Sequence, residues 1–135
     1  MLNKVKIVST ASTYTLPKEG KIIRQILNIN SSGKCSVSFC EWTKDMKIRR
    51  TKTQRFIVEE SIAKEVLAAI ETVDFQELRM LWITDAGGFT VTLCSDDKTT
   101  KTYNLTVWDV EYDGKSLSEY INEKLDRDDL WVFRR

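Results

Sequence analysis

Two stretches of two-residue alternation constrain the fold of this chain more than anything else in it. In "KIIRQILNINSSGKCSVSFCEWT", residues 21–43, apolar and polar side chains alternate on both sides of the turn formers Ser31-Ser32-Gly33-Lys34. In "GFTVTLCSDDKTTKTYNLTVW", residues 88–108, the same pattern runs either side of "SDDK". Successive side chains of a strand point to opposite faces of its sheet. Val37 and Phe39 therefore face one way, and Ser36, Ser38, Cys40 and Trp42 the other. In the second hairpin Phe89, Val91 and Leu93 share a face, as do Tyr103, Leu105 and Val107. The opposite faces carry Thr90, Thr92 and Cys94, then Thr102, Asn104, Thr106 and Trp108. Such regularity describes an antiparallel sheet with one covered face and one wetter face.

Helical periodicity occurs twice. In "EESIAKEVLAAIETV" Ile62, Val66 and Ile70 recur at every fourth residue, and Ala63, Leu67 and Val73 widen the stripe. In "SLSEYINEKL" Leu117, Ile121 and Leu125 form a seam, behind a Ser116–Glu119 pair with capping-box spacing. Shorter strands are expected at Val5–Val8 and Gln54–Val58, and a further one at Leu130–Phe133. With 135 residues, one proline and no linker-like tract, residues 1–135 read as a single domain. The expected fold is α+β: a mostly antiparallel sheet of five to six strands built from hairpins, with two helices packed on one face.

Composition excludes more chemistry than it suggests. The chain has no histidine, which removes the commonest general base and the commonest zinc ligand. Cys35 and Cys40 lie five apart on one strand and so project to opposite faces; Cys40 and Cys94 alone make half a zinc site. The acids Asp126, Asp128 and Asp129 lack the glycine and distal glutamate of a calcium loop. "DAGGFT" precedes a strand and lacks the Lys-Ser/Thr ending of a phosphate-binding loop, so a turn needing positive φ accounts for Gly87 and Gly88. Asp85 in that turn is the one acid worth testing, and an Asx-turn role explains it. No catalytic residue, metal or cofactor is expected. Three cysteines without a framework spacing, and no apolar run of membrane-spanning length, point to a cytoplasmic protein that is not in the membrane.

The succession "ITDAGG" (Ile83–Gly88), a hairpin, then "LSEYINEKLDRDDLWVF" (Leu117–Phe133) resembles small bacterial α+β proteins of uncharacterised role. Their early glycine-centred hairpin is similar to Ile22–Thr43. The resemblance implies the order of elements and no activity.

Charge and tryptophan supply the functional expectations. Formal net charge is only +1, so electrostatic function must lie in local patches. "KDMKIRRTKTQR", residues 44–55, sets six bases against one acid, whereas residues 109–129 set eight acids against three bases. These lobes neutralise each other within the fold, pair head-to-tail in a homodimer, or steer a charged partner. Trp42 and Trp108 fall on the polar face of their strands, where tryptophan is enriched at protein contacts. The leading expectation is a non-catalytic protein-interaction module of inhibitor or immunity type, using Trp42, Trp108, Arg49 and Arg50. The alternative is nucleic-acid binding through Lys47, Arg49, Arg50, Lys52 and Arg55. If residues 46–58 form one regular strand, Arg50 and Lys52 face one way and Lys47, Arg49 and Arg55 the other. The basic stretch is then a charged edge strand whose side chains scatter, a protection against edge-to-edge pairing.

Overall fold

The computed structural model describes residues 1–11, 21–45, 47–78, 88–106 and 110–133. In chain order the elements are β1 (Leu2–Thr10), β2 (Ile22–Asn30), β3 (Lys34–Trp42), β4 (Ile48–Ile57), α1 (Glu60–Glu71), α2 (Phe75–Leu78), β5 (Gly88–Ser95), β6 (Thr100–Leu105), β7 (Glu111–Tyr112), β8 (Lys115–Ser116) and α3 (Leu117–Lys124). The first six strands form one antiparallel sheet in the order β4-β3-β2-β1-β5-β6, and β7 pairs with β8 in a small second sheet. The fold is therefore α+β with a six-stranded antiparallel sheet, as the alternation requires.

Register decides which side chains meet. Ile7 lies opposite Leu27 and Val91, Leu27 opposite Val37, and Val91 opposite Tyr103. One row along, Val5 pairs with Ile29 and Leu93, and Ile29 with Cys35. These residues define the near face, and nearly all of them are buried. Ala63, Val66, Leu67 and Ile70 of α1, spaced one and two turns apart, are fully buried, and α1 packs on β1 and β2. The main packing partners of α3 are α1 and the β7–β8 hairpin. Phe133 packs its ring against Phe75 and Phe89 at centroid distances of 5.9 and 6.0 Å.

Local chemistry explains where the elements depart from expectation. Leu130–Phe133 forms no strand, although Leu130, Val132 and Phe133 are buried in the core. Its backbone is held by side-chain amides instead. Gln25, buried on the near face, accepts from Trp131 N at 2.8 Å and donates to the Asp129 carbonyl at 2.9 Å. Asn122 does the same for Leu130, accepting at 3.0 Å and donating at 3.1 Å. Ser116 sits at the N-cap of α3 but makes no side-chain cap bond, so the expected capping box does not close. Gly88 opens β5 opposite Thr10 and has no positive φ, so the turn role assigned to it is incorrect. Gly87, like Asp85 and Trp108, lies outside the described residues.

Gly33 does need its freedom. Its φ is +97°, and a Cβ there would stand 2.1 Å from the Val58 carbonyl oxygen. The Val58 N–H donates to Gly33 O at 2.9 Å, tying the β2–β3 turn to the end of β4.

Candidate functional site

The side chains that point away from the near face form the far face. On β1 they are Lys4, Lys6, Val8 and Thr10; register carries the same face across the sheet. One row runs Thr10–Arg24–Cys40–Arg50, the next Val8–Ile26–Ser38–Thr53, and the next Lys6–Asn28–Ser36–Arg55. Beyond β1 the rows continue through Thr90 and Asn104, then Thr92 and Thr102, then Cys94 and Thr100. Lys34 and Ile57 complete the side nearest Lys4.

This face carries Lys4, Lys6, Arg24, Lys34, Arg50 and Arg55, and none of the strand residues pointing to it is acidic. All but Arg24 are exposed, and Arg24 is half-buried. None of the six makes an ion pair among the described residues. Several bases elsewhere are paired: Arg49 lies 3.0 Å from Asp45, Lys64 2.7 Å from Glu60, Lys115 2.8 Å from Glu123, Lys124 2.9 Å from Glu65 and Arg127 2.7 Å from Asp129, whereas Lys21, Lys44, Lys52, Lys98 and Lys101 make no ion pair among the described residues. Between the far-face bases lie hydroxyls and amides that bond across strands: Asn28 donates to Ser36, Thr90 donates to Asn104, and Ser38 meets Thr53. Ile26, Ser38 and Cys40 are buried at the centre, so the face is not uniformly wet. Arg24 Nε and the Trp42 indole N–H are buried with no hydrogen-bond partner among the described residues.

The residues expected from the sequence are distributed as follows. The basic stretch is strand from Ile48 onward, at the sheet edge, with all its charged side chains exposed. A bulge at Thr51 shifts register between Phe39–Lys52 and Cys40–Arg50. It regroups the bases relative to a regular strand: Arg50 joins Arg55 on the far face, while Arg49 and Lys52 point to the near side. Arg49 is held by Asp45, whose carboxyl is kept below its usual range by the Thr43 hydroxyl bonded to it and by the Arg49 charge. Lys47 also approaches Asp45, at 4.0 Å. Lys52 lies over the Phe39 ring, 5.8 Å from its centroid. Trp42 is half-buried at the end of β3, on the far face with Arg50. An open cleft of about 490 Å³ beside it is lined by Glu41, Trp42, Thr43, Lys44, Asp45, Arg49 and Thr51. Of the described members of the two expected sets, Trp42, Arg50 and Arg55 share the far face, while Arg49 and Lys52 point to the near side.

Lys4, Lys6, Arg24 and Lys34 are the site residues that sequence reasoning missed. Their signal is present: each sits on the polar side of an alternating strand. What local pattern lacks is the strand order that sets them beside Arg50 and Arg55.

The acidic lobe is arranged differently. Glu111, Asp113, Glu119, Asp126 and Asp128 are exposed and make no described ion pair. The two lobes meet at Arg127, which bonds Asp129 and Gln54 and lies 4.9 Å from the Phe56 ring centroid. Cys40 and Cys94 share the far face but stand three strands apart. No group of three His, Cys, Asp or Glu among the described residues is placed to hold a metal. No helix among them is long and apolar enough to cross a membrane. No protein-family model matches the chain, and no curated protein matches it in sequence.

Proposed function

We propose that this protein is a non-catalytic, cytoplasmic binding module that occupies or tethers an acidic macromolecule through the far face of its sheet. The observation that carries the reading is the sorting of charge. Among the described residues the six bases on that face have no carboxylate partner and no strand acid beside them, while six of the bases elsewhere, Lys47, Arg49, Lys64, Lys115, Lys124 and Arg127, are paired with neighbouring acids. An unneutralised patch of one sign raises the local concentration and encounter rate of oppositely charged partners. The reading takes both long helices to lie on the near face, leaving the far face open. An acidic protein engaged in the manner of an inhibitor or immunity protein, with Trp42 as anchor, is one such partner; a nucleic acid is another.

Retention on a phosphate-bearing cation exchanger tests the face. Lys6→Glu/Arg55→Glu and Lys47→Glu/Arg49→Glu each change net charge by −4, from +1 to −3. The far-face pair is expected to elute at much lower salt than the other. Elution of both variants together would mean that total charge governs binding, and the reading fails. Homodimerisation through the opposite lobes is a second reading, favoured by the five exposed acids without ion pairs. Light scattering should then show a dimer in low salt that dissociates as salt is added; a monomer throughout removes it.

A further inference from the structure

We infer that the partner of the far face is a single-stranded nucleic acid, held mainly through its phosphates. The inference rests on the binding reading above and deepens it. Protein interfaces draw their affinity from a desolvated apolar or aromatic centre, with charge excluded from the core of the patch. The far face is built the other way. At its centre Ile26 is buried and Val8 half-buried, Ile57 is exposed at the β4 edge, and most of the accessible groups are ammonium, guanidinium, hydroxyl and carboxamide. Those are the groups that contact phosphate oxygens and sugars in nucleic-acid complexes. Such interfaces are more polar and more positive than protein–protein ones.

Geometry distinguishes a single strand from a duplex. Reading a duplex groove takes an inserted helix or two-stranded ribbon. A sheet face presents neither, but an unpaired strand can lie flat across it. The basic side chains span β1 to β4, three strand spacings or roughly 14 Å. Lys4 and Lys6 stand one same-face step apart, roughly 7 Å. Trp42, at the end of the Cys40 column and beside Arg50, offers a ring on which a base can stack. Arg24 Nε and the Trp42 indole N–H, two of the three buried polar side-chain atoms without a partner among the described residues, lie in diagonal neighbours on that corner.

Fluorescence anisotropy with labelled single-stranded RNA and DNA oligonucleotides, and with the same sequences as duplexes, tests this from 50 to 300 mM salt. Six neutralised phosphates predict a slope of log affinity against log salt near −4, from about −0.7 per contact on single strands. Lys6→Gln/Arg55→Gln should make that slope shallower by about 1.4. Trp42→Leu should lower affinity by roughly fivefold or more and leave the slope unchanged. Duplexes should bind more weakly, and polyglutamate of matched charge should compete poorly.

Absence of single-strand binding at 50 mM salt overturns the inference, as does an unchanged slope in the Lys6/Arg55 variant. Polyglutamate competing as well as nucleic acid also overturns it, leaving an acidic protein as the partner. Retention on the exchanger without oligonucleotide binding sinks only the nucleic-acid partner. Loss of both sinks the far-face reading itself.

Discussion

Replacing Gln25 by leucine should remove the main tie between the sheet and the C-terminal segment. The side chain is 1% exposed and makes two hydrogen bonds to backbone more than a hundred residues away. Leucine has similar volume and fills the site, so little cavity term enters. The loss is polar: each hydrogen bond contributes about 1 kcal/mol, and each backbone group left buried without a partner costs about 1–3 kcal/mol. These contributions overlap, because the second contains the first, so the expected loss is about 2–4 kcal/mol. That is a large share of the roughly 5–15 kcal/mol that stabilises a domain. Urea unfolding measures it as a lower midpoint at unchanged slope. Hydrogen exchange should show the Trp131 amide losing protection before the rest of the core. Gln25→Glu gives a second view, since its carboxylate keeps the acceptor for Trp131 N–H but opposes the Asp129 carbonyl. Protonation restores a donor, so that variant should approach wild type as pH falls from 7 to 5. If Gln25→Leu stays within ~0.5 kcal/mol of wild type, with Trp131 still protected, the amide clamp is not what fastens this segment.

Other expectations follow from single positions. Gly33→Ala should cost at least ~2 kcal/mol in urea unfolding, because positive φ and the nearby Val58 carbonyl both oppose a Cβ. Asp126 closes α3 with φ +55°, its N–H bonded to Glu123 O and the Arg127 N–H to Asn122 O, a Schellman arrangement. Asp126→Gly should therefore raise the thermal midpoint, by roughly 0.5–1 kcal/mol in stability. The Asp129 carboxyl is held below the usual range first by its hydrogen bond from Arg127. A depressed folded pKa means stability fully present above the unfolded value near 4 and lost as pH falls through the folded one. The gap between wild type and Asp129→Asn should stay constant from pH 7 to 5 and shrink below about pH 4, as acid titrations of unfolding will show.

Both hairpins and both long helices were legible because each depends on contacts local in sequence. Alternation placed Phe39, Val91 and Tyr103 on the covered side before any pairing was known. The single turn of α2 had a signal in Asp74, whose carboxylate accepts from Glu77 N at 3.0 Å. The β7–β8 hairpin had one too, in Asp113-Gly114, both at positive φ. Each of those signals spans only a few residues, too short to stand out beside the longer periodicities. The amide clamps were not legible in principle, since nothing near Gln25 or Asn122 names a distant backbone as partner. The density of charge in residues 44–55 suggested a site there, but the bulge at Thr51 and the Asp45 ion pairs divide it. The far-face patch gathers residues from Lys4 to Arg55 that only strand order makes neighbours.

The place of β1 in the sheet has a consequence for assembly. It pairs with β2 some 20 residues on, but Ile7 meets Val91 across 84 residues of chain. Contacts that close long loops form late, because the entropy of closure must be met before they contribute. The β1–β4 meander can therefore form during synthesis while residues 88–105 are still being made. Until β5 arrives, β1 is an edge strand carrying Val5 and Ile7, with Lys4 and Lys6 as its only charges. The arginines of β4 guard the finished molecule against mispairing; in the half-made one, the vulnerable edge is at the opposite side of the meander.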